Sequence, residues 1–137
     1  MKKTSLISML PQILSSHKEW FSSKGKKGIF ADLSEEDLRE GNFRGCNLVE
    51  ANLQAADLSN ADFTDSDLRG ANLLEAQLKG AKLQNANFEE TDLMWANLEG
   101  ANLENTKLSG AYLQGANLKD TSLKKAQIEL AFIDEDT

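Results

Sequence analysis

The sequence is poor in the residues from which reactive sites are usually built. A single cysteine, Cys46, excludes an internal disulfide framework. A single histidine, His17, has no other ligands near it and makes no metal site. No Gly-rich phosphate loop is present, and no His/Cys/Asp cluster has metal-ligand spacing. No run of about 18 apolar residues exists to cross a bilayer. The opening Lys2 and Lys3, followed by an apolar stretch to Leu14, is too short for a secretory leader and is interrupted by Pro11. These absences lead to the expectation of a cytoplasmic chain without enzymatic activity, cofactor or metal. Its 137 residues bound a single domain.

What is present is a five-residue pattern that runs unbroken from Ala31 to about Glu135. Its third position is large and apolar in all 21 copies: Leu in sixteen, Phe43, Phe63 and Phe88, and Ile128 and Ile133. Its first position is small everywhere except Glu36, its second is mostly Asn or Asp, and its last two are polar, charged or Gly. A step of five turns an α-helix through roughly 140° and would scatter the large residues around it. On a continuous strand, an odd step reverses the facing of each successive copy. Only a chain that bends once per pentad keeps the third position inside. Such a chain is a solenoid of very short strands and turns. Position one then meets the crowded inner corner, where Cys46 reads as an inert core residue. Asn and Asp suit the turns, because their side chains bond nearby backbone groups. The carboxylates share their positions with Asn, Ser and Gln, so they read as solvated turns rather than acid/base pairs.

The pentads Ala-Asn-Leu-Glu-Gly (96–100) and Ala-Tyr-Leu-Gln-Gly (111–115) stand beside eight others that begin Ala-Asn or Ala-Asp followed by Leu or Phe. Residues in this order closely resemble the pentapeptide-repeat family over about three quarters of the chain. The resemblance implies an all-β fold: a right-handed, quadrilateral parallel β-helix with four pentads per coil. Five full coils would then span 31–50, 51–70, 71–90, 91–110 and 111–130. Fold alone says little about function.

Residues 1–28 differ in kind from 29–137 and form a separate N-terminal unit. They carry six Lys and one Glu, a charge of +5, against −12 for the remainder. Leu10, Ile13, Leu14, His17, Trp20 and Phe21 recur at helical spacing. They predict a helix from about Leu10 to Ser23, with Pro11 in its first turn, followed by a Lys/Gly linker. Its expected role is a cap over the exposed first coil. A membrane-surface contact and a partner-binding helix are the alternatives. His17 is expected to be packed or half-exposed.

Placing every twentieth residue in one column separates four faces. The face beginning at pentad 31–35 contains six acids and no base, whereas the others carry −3, +1 and −3. It also gathers Leu74, Met94, Trp95, Tyr112 and Phe132, leaving chiefly Val49 and Leu130 as outward apolar residues elsewhere. An apolar patch rimmed by acids is a candidate surface for a protein partner. At the far end, Ile128, Leu130 and Ile133 lie on the last coil, and the four residues that follow are too few to cover it. This predicts a homodimer through that end. The expected function is a non-enzymatic interaction scaffold. The alternative is a DNA mimic acting on a type II topoisomerase such as gyrase, as some members of the resembled family are. Direct nucleic-acid binding is not expected of so acidic a domain.

Overall fold

A computed structural model describes residues 3–137, with side chains described from Leu6 onward. Helix α1 (Lys3–Ser22) leads into a regular coil from Ala31 to Asp120, and a single helical turn, α2 (Lys125–Ile128), lies near the end. Parallel bridges join residues twenty apart: Asp32 to Asn52, Asn52 to Asn72, Asn72 to Asp92, and Asp92 to Tyr112. Twenty residues are four pentads, so each coil has four sides. The expected short strands shrink to a minimum. Among the described residues every bridge is isolated, because only position two of each pentad pairs before the chain turns.

The same hydrogen bonds recur from Leu33 to Leu98. The N–H of position three donates to position two of the next coil, as from Leu33 to Asn52 (2.7 Å). Position five donates to position four of the next coil, as from Glu35 to Gln54 (2.8 Å). Position two donates back to position one of the preceding coil, as from Asn52 to Ala31 (3.0 Å). Within the pentad, the Asn or Asp carbonyl or carboxylate oxygen accepts the N–H two residues on, as at Asn72 and Leu74 (3.0 Å). That is the Asx turn expected of those residues.

Each bend has one conformational requirement that the residue types only partly disclose. Every fifth residue from Glu35 to Asp120 has a positive φ, including Glu75 (60°) and Trp95 (59°) as well as the glycines. The N–H of the following residue bonds back to position three, as from Gly41 to Leu38 (3.0 Å). This is the arrangement of a type II turn. L-residues pay about 1–2 kcal/mol in this region, against about 0.5–1 kcal/mol for the extra unfolded-state freedom of glycine. A Cβ at Gly100 would meet nothing within 4 Å, so Gly100→Ala isolates the backbone effect. It should destabilise by about 0.5–1 kcal/mol, and Ala55→Gly should stabilise by a similar amount. Denaturant midpoints of the two variants moving in the same direction would refute this.

The core is a stack. All seventeen position-three residues from Leu33 to Leu113 are buried, with position-one Ala, Ser or Thr beside them. Phe43 lies face to face with Phe63 (4.7 Å between centroids, 7°), and Phe88 meets Phe63 edge-on (6.5 Å). Thr91 and Thr106 keep their inward hydroxyls satisfied by donating to Leu68 O and Leu83 O (2.7 Å each).

Both ends depart from expectation. Helix α1 begins seven residues before the predicted start, so Pro11 is its ninth residue rather than part of its first turn. Leu6, which the pattern did not include, joins Leu10 and Leu14 in the main core, while Ile13, Trp20 and Phe21 are half-buried. Val49 is not an outward residue in any practical sense. It is 5% exposed, and its carbonyl faces buried His17 of α1. At the other end the fifth coil is not completed. After Asp120 the chain leaves the pentad path through α2 and resumes the ladder only where Phe132 bridges Tyr112. Leu118, Leu123 and Ile128 are consequently half-buried and Ile133 is 51% exposed, so the inward rule fails for the last copies.

Candidate interaction surface

The ladder places Asp32, Asn52, Asn72, Asp92, Tyr112 and Phe132 in one column. Leu74 and Met94, also on this side, are half-buried by their neighbours above and below. They are the floor of the patch rather than its surface. Three aromatic residues stand out from it: Trp95 (54% exposed), Phe132 (50%) and Tyr112 (41%). The Tyr112 and Phe132 rings stack at 4.9 Å with an angle of 14° between them.

Trp95 is held by a feature that the composition of the face did not suggest. It occupies the left-handed corner of its pentad, an outlying conformation for so bulky a residue. Its indole lies over Gly115, twenty residues on at the same corner, where any Cβ would collide with the ring. The twenty-residue spacing of Trp95 and Gly115 is legible in the sequence once the coil length is known.

The electrostatics of this face are also distinct. The ion pairs Arg39–Asp37, Arg44–Asp62, Arg69–Asp67 and Lys79–Glu99 lie on the other three sides. Among the described residues, no ion pair involves Asp32, Glu35, Glu75, Asp92, Asp134 or Glu135. The Asp32 carboxyl is held below its ordinary range chiefly by the Ser34 hydroxyl and N–H.

The acidic tail is more than a solubilising end. Gly115 N–H donates to Asp134 Oδ1 (3.1 Å), which also accepts from Asp136 N–H and the Thr137 hydroxyl (2.9 Å each). Burial opposes ionisation of Asp134, but these hydrogen bonds outweigh it and lower its pKa. The ionised form is favoured by folding, so its contribution is present at neutral pH and is lost as pH falls through the lowered value. Elsewhere on the last coil, Ser122 Oγ accepts from Leu103 N–H (2.7 Å) and Gln127 Nε2 donates to Leu103 O (2.6 Å) and Thr106 O (3.0 Å). Side chains thus replace the uncompleted part of the fifth coil along the edge of the fourth, contrary to the expectation of an uncovered end. The apolar part does stay open. Leu130 is 71% exposed, and Ile128, Ala131 and Ile133 line a groove with Lys125 and Glu129.

Helix α1 meets the first coil through His17, which is fully buried. Its Nε2 lies 2.8 Å from Val49 O, and its Nδ1 accepts from Ala31 N–H (3.0 Å). With Nδ1 accepting, the ring is the Nε2–H tautomer and donates to Val49. Trp20 and Phe30 pack around it at 5.5 and 5.7 Å. Cys46 is half-buried beside the core, and burial pushes its thiol pKa up. Among the described residues no group of His, Cys, Asp and Glu could hold a metal ion, and no helix is long and apolar enough to cross a membrane.

The family profile described as "Pentapeptide repeat region" matches residues 36–118. The chain belongs to the pentapeptide-repeat family. Pentapeptide-repeat proteins fold as right-handed quadrilateral β-helices, and the four-sided, twenty-residue coil agrees with that. Several solved members are similar. The pentapeptide-repeat protein Rfr23 from the cyanobacterium Cyanothece 51142 is 33% identical with a TM-score of 0.67, over 79% of this chain and 84% of its own. HetL from Nostoc, a pentapeptide-repeat protein involved in heterocyst differentiation regulation, is 42% identical with a TM-score of 0.58. That match covers 66% of this chain but only 43% of HetL. Alr5209, also from Nostoc, is 26% identical with a TM-score of 0.69, over 88% of this chain and 95% of its own. No curated protein matches the sequence.

Proposed function

We propose that this pentapeptide-repeat protein is a cytoplasmic interaction rod. It acts by presenting its acidic face, with Trp95, Tyr112 and Phe132, to a protein partner, and not by catalysis. The observation that carries the reading is Trp95, whose exposed indole is seated on Gly115 within an acidic face that has no Lys or Arg. Exposed aromatics at the centre of a patch are typical anchors of interfaces. Helix α1 belongs to the same design as an N-terminal cap that keeps the rod from extending.

Replacing Met94 and Trp95 by Ala should leave the fold intact and abolish capture of the partner in a pull-down from the source organism. Unchanged capture by the double variant would sink the reading. The alternative of a DNA mimic against a type II topoisomerase is separated by adding the protein to a gyrase supercoiling assay. The interaction rod predicts no effect, and inhibition or protection would favour mimicry.

A second reading concerns the C-terminal groove. The exposure of Leu130 (71%) and Ile133 (51%), with half-buried Ile128 in the same groove as Ile133, favours a homodimer through this end. Light scattering at high protein concentration should give a dimer mass, reverting to monomer in Leu130→Glu. A monomer mass in the unaltered chain would remove the dimer.

A further inference from the structure

Among the described residues, the acidic face places a carboxylate without an ion pair near each exposed aromatic. Glu75 occupies the corner one coil before Trp95, and the Asp92 position bridges Tyr112 directly. Phe132 is followed closely in its own pentad by Asp134 and Glu135. Adjacent coils are about 4.8 Å apart, so each aromatic face and its carboxylate lie within reach of one side chain. Among the described residues the ion pairs are all on the other sides, and this side carries no Lys or Arg of its own.

We infer that the face binds an arginine-bearing segment of a partner protein, with guanidinium planes laid on Trp95 and on the Tyr112–Phe132 pair and their charge met by Glu75, Asp92 and Glu135. This rests on the protein-binding reading above and supplies the partner's chemistry. Arginine fits both halves of the arrangement. Its planar, weakly hydrated cation stacks on aromatic rings and offers several donors to a carboxylate. A lysine ammonium is a compact, strongly hydrated point charge and gains less from the rings. An acidic or purely apolar segment would leave the carboxylates of this face unanswered. A nucleic acid would meet repulsion from them.

The full chain, labelled with nitrogen-15, can be titrated with three synthetic ten-residue peptides in which glycine alternates with arginine, lysine or glutamate. The expected result is a saturable shift of the Trp95 indole N–H and the Gly115 amide with the arginine peptide, and none at Trp20. The lysine peptide should bind several-fold more weakly and the glutamate peptide not at all. Trp95→Ala should weaken arginine-peptide binding by about 2- to 30-fold. Glu75→Gln combined with Asp92→Asn should weaken it several-fold. The Asn keeps the turn bond from Met94 N–H that Asp92 now accepts. Glu89→Gln with Glu90→Gln removes the same charge from another face and should leave affinity within about twofold. Equal losses in the two charge variants would mean diffuse attraction and would overturn the assignment. So would the absence of a saturable shift at low salt. If the shift is absent while the Met94/Trp95 double variant still loses its partner, the arginine chemistry fails and the interaction rod stands. Retained capture by that variant strikes the rod itself.

Discussion

Phe63→Ala is expected to lower stability by about 3–5 kcal/mol, the largest loss from any single side chain in the molecule. Phe63 is fully buried and lies between Phe43 and Phe88, so its removal strands a ring on each side. The neighbouring backbone is fixed by bonds to the coils on both sides: Phe63 N–H donates to Lys82 O (2.7 Å) and Phe43 N–H to Asp62 O (2.7 Å). The site therefore collapses poorly, which puts the cost at the upper end of the range for such truncations. Phe63→Leu inserts the residue that fills most other copies and should cost less than about 1.5 kcal/mol. Chemical denaturation of the two variants measures the difference. A loss for Phe63→Ala below that of Phe63→Leu would mean that the ring is not enclosed as described.

His17→Ala should cost about 2–4 kcal/mol, because it leaves both Val49 O and Ala31 N–H without their partner in a buried site. Loss of contact with Trp20 and Phe30 adds to this. The effect should be local. Amide exchange at Ala31 should accelerate and protease cleavage in the Lys24–Lys27 linker should increase, while central amides such as Leu73 keep their protection. His17→Gln retains one donor and one acceptor and should recover part of the loss. Unaltered exchange at Ala31 in the alanine variant would contradict the role of His17 as the pin between helix and coil.

The sequence discloses the coil far better than it discloses the ends, and the reason is physical. One Leu or Phe per pentad reports a repeated environment, so Leu53, Leu73 and Leu93 are assigned by each other and all three are buried. The Asn and Asp at position two report a repeated turn bond in the same way. Ends have no such redundancy. Thr121–Leu130 keeps the pentad spelling, with Leu123 and Ile128 at the third position, yet it has no coil above it to bond. Without those partners a helical turn, with Gln127 serving two carbonyls, satisfies the edge better. Val49 likewise looks outward from its register and is covered only because α1 folds over it. The aromatic face was legible as a column of residue types. The division between its half-buried floor, Leu74 and Met94, and its exposed aromatics was not, since packing between coils decides it. Nor does the spelling of a pentad say that position five must take a positive φ even when it is Glu or Trp. Asn and Gly there hint at it, and the coordinates make it general.

The detour through α2 takes up the same number of residues as the two pentads it displaces, so the chain comes back into step at Phe132. This imposes an arithmetic of phase on the molecule. An insertion or deletion of one pentad would carry everything beyond it a quarter turn around the axis, separating Trp95 from Gly115 or Tyr112 from Phe132. Only whole-turn changes leave the meridians aligned. A protein of this kind can lengthen or shorten in quanta of a full revolution, and what it displays along one side is conserved only under that rule.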